Sequence, residues 1–366
     1  MSQAYSLAIL PGDGIGPEVT AAALAVMEAA GSAFGFGVEA TEHPVGGAAI
    51  DTAGGPLPEA TLDACLAADA VLLGAVGGPA WDTVEARIRP ERGLLRLRSS
   101  LGAFANLRPV AVPDALASRS PLRPERVAGT DLLIVRELTG GIYFGTRQRG
   151  TSSASDEMAY SVAEVERIAR VAFEQARQRR GRLASVDKAN VLASSALWRE
   201  TVTAIAEEFG DVEVEHLYVD NAAMQVVRDP RRFDVIVTAN LFGDILSDLA
   251  ATLPGALGLL PSASIGGPVG LFEPVHGSAP DVAGRNVANP LAAILSAAML
   301  LDSLGESDAA GAVRRSVEAT LSAGVVTPDL GGHATTTEVG ADVAARVLSA
   351  SLTPAFPPHT SVPLHS

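Results

Sequence analysis

The stretch LAILPGDGIGPEV, Leu7–Val19, carries an apolar run, Leu7 to Leu10, straight into a glycine-rich turn that opens a helix. An uninterrupted apolar run has no outward polar face, so it reads as a strand covered on both sides, the habit of parallel sheets. Gly12, Gly14 and Gly16 give GxGxG and not the GxGxxG of a dinucleotide-binding turn. The segment therefore reads as a strand-to-helix turn without the usual phosphate fingerprint.

Similar short apolar runs recur at Ala70 to Leu73, Leu132 to Val135, Leu183 to Val186, Val212 to Val219 and Val235 to Val237. Elsewhere, in Val162 to Arg179 and Leu197 to Glu208, apolar positions return every three and four residues, as on one face of a helix. The alternation predicts an α/β fold with a mostly parallel central sheet flanked by helices. At 366 residues two domains are favoured. No internal repeat and no Pro/Gly linker cuts the chain in two, so the second domain is read as an insertion. Thr353 to Ser366 holds four prolines and little core-forming pattern, and reads as a disordered tail.

Hydrophobic residues make up 48% and charged ones 19%, which excludes a disordered chain. A net charge of −15 opposes nucleic-acid phosphates and removes them as a main partner. The N-terminal MSQAYSLAILPGDG has no basic region, and the longest apolar stretch, Leu291 to Leu301, falls short of the roughly 20 residues of a membrane span. A cytoplasmic protein with no membrane partner is expected. The single cysteine, Cys65, excludes intrachain disulfides and CxxC metal sites, and in TLDACLAAD it reads as buried packing.

Several strands end at a polar residue: Arg136, Asp187 with Lys188, Asp220 and Asn240. Ligands of α/β sheets bind beyond the carboxyl ends of strands, so one shared cleft is expected. In FGDILSDL, Asp244 and Asp248 stand four apart on one helical face, where two carboxylates repel unless a cation joins them. Oxygen-only ligands select Mg²⁺ or Mn²⁺, with Asp220 as a possible third. The competing reading places Asp244 in a helix's first turn, where an anion is favoured anyway.

Arg98, Arg108 and Arg136 close the apolar runs LLRLR, ANLR and LLIVR. A buried guanidinium needs an anion, either a structural Asp or Glu or a substrate with two or more carboxylates. Lys188 is the only lysine among 27 basic residues. An amine can release its proton near neutral pH where guanidinium cannot, so a retained lysine suits a general base, against codon bias and chance. Tyr143, in GGIYFG, and His276, in the loop EPVHGSAPD, are weaker signals: a hydroxyl held in the open by glycines, and a ring beside small residues that permit close backbone approach.

Taken in order, PGDGIGPEV, GLLRLR, FANLRP, VRELTGGIYFG, SVDKANVL, YVDNAAM, ANLFGDILSD, LLPSASIG and EPVHGSAPDVAG resemble the family of metal-dependent β-hydroxyacid oxidative decarboxylases that includes isocitrate and isopropylmalate dehydrogenases. The resemblance covers about Leu7 to Leu348. It implies a two-domain fold of that family: residues 1–103 with 256–352 as the larger, cofactor-binding domain, and 104–255 as an inserted smaller one carrying the dimer interface, Lys188 and the metal-ligand aspartates. It also implies NAD-dependent oxidation of (2R,3S)-3-isopropylmalate at C2, then loss of carbon dioxide to leave 4-methyl-2-oxopentanoate, a step of leucine biosynthesis. The alternative is a sister enzyme acting on tartrate/malate-like or homoisocitrate substrates.

By the same resemblance Lys188 is the base and Tyr143 the acid that protonates the enol. Asp220, Asp244 and Asp248 hold Mg²⁺ or Mn²⁺, and Arg98, Arg108 and Arg136 clamp the substrate carboxylates. A homodimer is implied, in which Lys188 and Asp220 complete the neighbouring subunit's site. Isocitrate enzymes carry SxNxxLR before the first of these arginines. Here Arg92 and Leu94 take the Ser and Asn places, and Leu94, Leu95 and Val191 offer an apolar pocket. NAD is expected on loops: Gly277 to Asn289 for the adenosine, including Ser278, Ala279 and Asn289, with Glu273 and His276 just before. Glu91 falls near the nicotinamide ribose and Gly78 lines the cleft. Asp281 is expected to bond the ribose hydroxyls and repel a 2′-phosphate, favouring NAD over NADP. Arg285 and Asn286 depart from a commoner Lys-Gly pair.

Overall fold

The computed structural model describes residues 3–350; the expected tail, 353–366, lies outside them. Two compact units form, one from the described residues up to Ala103 and from Ala256 onward, the other from Phe104–Gly255. The first unit begins with β1 (Ala4–Gly12), α1 (Gly16–Phe34), β2 (Gly37–Glu42), α2 (Gly46–Ala53), α3 (Glu59–Ala67), β3 (Ala70–Ala75) and α4 (Pro90–Ser100). The second holds β4 (Ala105–Ala111), α5 (Pro124–Val127), β5 (Asp131–Glu137), the hairpin of β6 (Arg147–Arg149) and β7 (Ala154–Asp156), α6 (Val162–Arg177), β8 (Arg182–Asp187), α7 (Ala193–Ala206), β9 (Glu213–Tyr218), α8 (Val219–Arg228), β10 (Val235–Thr238) and α9 (Asn240–Ala251). The chain then completes the first unit with β11 (Pro261–Ile265), β12 (Gly270–Pro274), α10 (Leu291–Ser303), α11 (Ser307–Ser322) and α12 (Thr336–Ala350).

In the first unit the strands run β2-β1-β3-β12-β11, parallel except where β11 meets β12. In the second they run β4-β5-β10-β8-β9, parallel except where β4 meets β5. The central strands β3 and β10 are buried at every position, which is why they read as continuous apolar runs. The strand β2 was not legible: its sequence GVEATE is polar and largely exposed, as an edge strand is. The strand β9 stops at Tyr218, so Val219 belongs to α8, and Asp220 sits in that helix's first turn.

The apolar stretch at Leu291 is α10, whose burial on nearly every side makes it the central helix of its unit, packed against α1, α11 and β12. No helix of the described residues is long and apolar enough to cross a membrane. Cys65 is fully buried in a core cluster with Leu62, Leu73 and Leu97. Its burial pushes the thiol up to about 12.

One charge is sealed into this core. The Asp302 carboxylate at the end of α10 is wholly inaccessible, with Arg314 of α11 donating to it. Burial raises its pKa and Arg314 opposes the rise. Because the folded-state pKa lies above the unfolded value, Asp302 costs stability at neutral pH. That cost disappears as pH falls through the folded pKa toward the unfolded one. Arg314→Met, which removes the partner, is expected to destabilise by about 3 kcal/mol at pH 7 in urea unfolding. The deficit should shrink as pH is lowered and the carboxyl takes up its proton; a pH-independent loss would show that Arg314 acts by packing alone.

Candidate active site

The second unit gathers its chemistry between β4, β5 and α9. In the antiparallel register of β4 and β5, Asn106 stands opposite Arg136 and Arg108 opposite Ile134, so Asn106, Arg108 and Arg136 share one face of the strand pair. The helix α9 lies over that face, presenting Asn240, Asp244, Ser247 and Asp248 at helical spacing. It comes close because position 243 is glycine: a Cβ there would stand 2.6 Å from Arg136 Cγ and 2.8 Å from its Cβ.

Arg136 is 3% exposed. Its Nη1 donates to Asp244 Oδ1 at 2.5 Å, and its Nε and Nη2 donate to Asn240 Oδ1 at 3.1 and 2.8 Å. Arg108 donates from Nε to Asn106 Oδ1 at 2.7 Å and from Nη1 to Ser247 Oγ at 2.6 Å. That same Nη1 lies 3.7 Å from both Asp244 and Asp248. Tyr143 arrives on the Gly140–Gly141 turn after β5, and its Oη donates to Asp244 Oδ2 at 2.9 Å.

The electrostatics follow from this crowding. Burial, then the Asp244 charge, raises the Tyr143 pKa, so the phenol stays protonated across neutral pH. The Asp248 pKa is raised by burial and then by Asp244, against the opposing fields of Arg108 and Arg136. Asp244 is not in a first turn, because α9 begins at Asn240, so the helix dipole does not account for it. Arg136, Arg108 and Tyr143 already serve Asp244, and the carboxylate oxygens of Asp244 and Asp248 are the donor type that fits Mg²⁺ or Mn²⁺.

Lys188 and Asp220 form a pair of their own at 2.8 Å. Asp220 has its carboxyl pKa lowered by that ammonium. Tyr218 lies beneath both Lys188 and Arg199, whose charges sit 5.9 and 4.9 Å from the ring centroid. Among the described residues no three His, Cys, Asp or Glu side chains come together as a metal cage. Asp220 therefore does not join Asp244 and Asp248 within one chain. The single shared cleft expected from strand ends is divided: Arg136 and Asn240 belong to one group and Lys188 to another. Asp187 is 1% exposed and locked bidentately by Arg199, a structural ion pair. Val191, beside Lys188, is 69% exposed.

The remaining candidates lie in the first unit. Glu91, Leu94, Leu95 and Arg98 are on α4, with Leu94 packed partly against the core. Arg98 donates to the buried Glu273 of β12 at 2.6 Å, so these two candidates already partner each other. In the loop after β12, His276 Nδ1 meets the Gly277 carbonyl at 2.9 Å, which puts the ring proton there. His276 Nε2 is then a buried acceptor with no partner. The Ser278 carbonyl accepts from Ile15 N at 2.8 Å, tying the loop to the turn after β1. Ala279 is held at φ 38°. Asp281 is exposed, Gly277 has open space around it, and Gly78 takes φ 150°. Asn289 bonds Asp329 and the first amide of α10.

Sequence reading missed several contributors. Asp13, 3% exposed in the glycine-rich turn, accepts from the amides of Gly47, Ala48 and Gly77 at 2.7–2.8 Å. An aspartate among glycines is a signal for such a backbone anchor. Glu137, Tyr160, Asn106 and Ser247 had no comparable signal, since each acts only through residues distant in the chain.

Each unit is an α/β sheet, and the second gathers arginines, a phenol and a carboxylate pair at one end of its strands, the make-up of an α/β enzyme. The chain belongs to the isocitrate/isopropylmalate dehydrogenase family, whose profile matches residues 6–343. A 3-isopropylmalate dehydrogenase of Salinibacter ruber is 65% identical over 350 residues, 94% of this chain and 96% of that protein. One of Gloeobacter violaceus is 56% identical over 338 residues, 90% and 93%. Among solved structures, an isocitrate dehydrogenase of Methylococcus capsulatus superposes with TM-score 0.85 at 37% identity, covering 94% of this chain and 99% of its own. A β-decarboxylating dehydrogenase of Thermococcus kodakarensis gives 0.80 at 39%, covering 94% and 96%.

The close approach at position 243 sets the sign of a substitution there. Helix propensity alone makes Gly→Ala stabilising by about 1 kcal/mol, but the collision with Arg136 is expected to reverse this to a loss of about 1–3 kcal/mol. Gly210→Ala, with nothing within 4 Å of the added carbon, is the control and should stay within about 0.5 kcal/mol. Thermal and urea unfolding of the two variants checks the comparison.

Proposed function

We propose that this protein catalyses the NAD-dependent oxidative decarboxylation of (2R,3S)-3-isopropylmalate to 4-methyl-2-oxopentanoate and carbon dioxide. The observation that carries the reading is the convergence of Arg108, Arg136 and Tyr143 on the Asp244/Asp248 pair, in a chain whose relatives at 65% and 56% identity are 3-isopropylmalate dehydrogenases. Those names favour isopropylmalate over tartrate-like or homoisocitrate substrates.

Arg98, Arg108 and Arg136 are assigned to the substrate carboxylates, for which the guanidinium fork is suited. Asp244 and Asp248, with Asp220 from a neighbouring copy, would hold Mg²⁺ or Mn²⁺, which supplies Lewis-acid stabilisation of charge on the substrate oxygens. NAD supplies the hydride acceptor, and the unpartnered His276 Nε2 is an acceptor that fits a donor such as an adenine amino group. Gly277, Ser278, Ala279, Asp281, Asn289, Glu91, Glu273 and Gly78 are the remaining cofactor assignments. Arg98 and Glu273 would have to exchange each other for those ligands.

Lys188 accepts the C2 hydroxyl proton, and Tyr143 protonates the enol carbon after carbon dioxide leaves. The raised Tyr143 pKa suits the second role, because an acid must arrive protonated. A homodimer is proposed in which Lys188 and Asp220, which stand apart from the arginine cluster of their own chain, complete the neighbouring copy's site. Leu94, Leu95 and Val191 are the residues proposed for the isopropyl group, and the exposure of Val191 leaves its surface open to a ligand. A cytoplasmic location accords with a biosynthetic role.

The test is NADH formation from 3-isopropylmalate with Mg²⁺ or Mn²⁺, with and without chelator. Activity that requires the metal is expected, and full activity in chelator would overturn the metal assignment. Lys188→Arg should lower turnover by at least about 10²–10⁴-fold while calorimetric substrate binding changes little. Near-normal turnover in that variant removes Lys188 from the mechanism.

A further inference from the structure

Beneath the arginine cluster lies a second polar group that the reaction does not use directly. Asn240, the first residue of α9, is 1% exposed and makes contacts in three directions. Its Oδ1 accepts both Nε and Nη2 of Arg136, at 3.1 and 2.8 Å. Its Nδ2 donates to the carbonyls of Leu138 and Gly140, at 3.0 and 3.1 Å. Its backbone amide, which as the first of a helix has no intrahelical partner, donates to Tyr160 Oη at 2.9 Å.

Tyr160 is anchored in turn. Its ring packs edge-on against Trp198 with centroids 5.5 Å apart, and the Glu137 carboxylate lies near enough to its hydroxyl to act on it electrostatically. Glu137 accepts from Thr139 N at 3.0 Å and Gly140 N at 2.8 Å. Its side chain is fully inaccessible, and Arg167 sits 3.3 Å away as counter-charge. The tyrosine ring lies so close to the turn bearing Tyr143 that a Cβ on Gly140 would meet its Cε1 at 2.8 Å, and one on Gly141 its Oη at 2.4 Å. Glu137, Tyr160 and Asn240 thus join the end of β5, the Gly140–Gly141 turn and the start of α9.

We infer that Asn240, braced by Tyr160 and Glu137, is a positioning residue for the substrate-binding arginine. By taking two donors of one guanidinium edge, it fixes the plane of Arg136 and thereby the direction of the Nη1 group that reaches Asp244. Asn240 touches no substrate in this scheme and acts through Arg136. The inference rests on the proposed function, since it requires Arg136 to bind a substrate carboxylate.

The test is a double-mutant cycle on the full-length protein, read by steady-state kinetics with 3-isopropylmalate, NAD and Mg²⁺. Asn240→Ser removes the acceptor edge and is expected to raise KM for the hydroxyacid at least about tenfold, the scale of a hydrogen bond to a charged group. KM for NAD should remain near the wild-type value. In an Arg136→Lys background the same substitution should add little, because the group it orients is gone. Tyr160→Phe keeps the packing on Trp198 and removes only the hydroxyl. It should raise the same KM by less, with the same non-additivity, and it decides the matter if Asn240→Ser does not fold.

Additive effects in the Arg136→Lys background, or equal rises in both KM values, overturn the inference and leave the group a structural one. An unchanged hydroxyacid KM in folded variants overturns it as well. A wild-type protein that does not oxidise 3-isopropylmalate overturns the proposed function instead, so the two failures are told apart by the parent enzyme.

Discussion

The buried guanidinium of Arg136 is the constraint around which the second unit is arranged. A charge taken out of water costs several kcal/mol unless it is paired and its donors are satisfied. Here the partners are Asn240 and Asp244, on consecutive turns of one helix. Meeting that requirement fixes α9 against β5, and Gly243 lets the two backbones come near enough for the contacts to form. Once Asp244 is fixed, the hydroxyl of Tyr143 has an acceptor at a defined place.

The two polar groups of this unit differ in how firmly they are held. Arg108, Arg136 and Asn240 are buried and hydrogen-bonded to neighbours on β4, β5 and α9. The Lys188–Asp220 pair is half exposed, with Asp220 at 64% side-chain exposure, and such a pair contributes little to stability. Either member can leave the other at small cost. That is the property required of residues proposed to serve a neighbouring copy and a cation, whereas the arginines proposed for the carboxylates are held in place.

The candidate residues were legible because chemistry leaves a local trace. Asp244 and Asp248 announce themselves by spacing, the three arginines by following apolar runs, and Lys188 by being the only lysine among 27 basic residues. The central strands were legible for the same reason, since burial on both faces leaves no polar position. The polar strand β2 left no such trace, and neither did the true start of α9, which removes Asp244 from the first turn. The residues that hold the site, Glu137, Tyr160 and Ser247, are ordinary polar residues whose meaning lies entirely in their partners.

The sequence by itself determined the fold class and the residue types available for chemistry, because periodicity, spacing and composition are properties of neighbours along the chain, and its ordered motifs carried the resemblance to the family. Only the tertiary structure decided which charges meet. It paired Arg98 with Glu273 and Asp187 with Arg199, gave Arg136 to Asn240 and Asp244, and left Asp220 with Lys188 apart from the other aspartates. Such pairings depend on distances of a few ångströms between residues up to 175 positions apart, which no local pattern encodes.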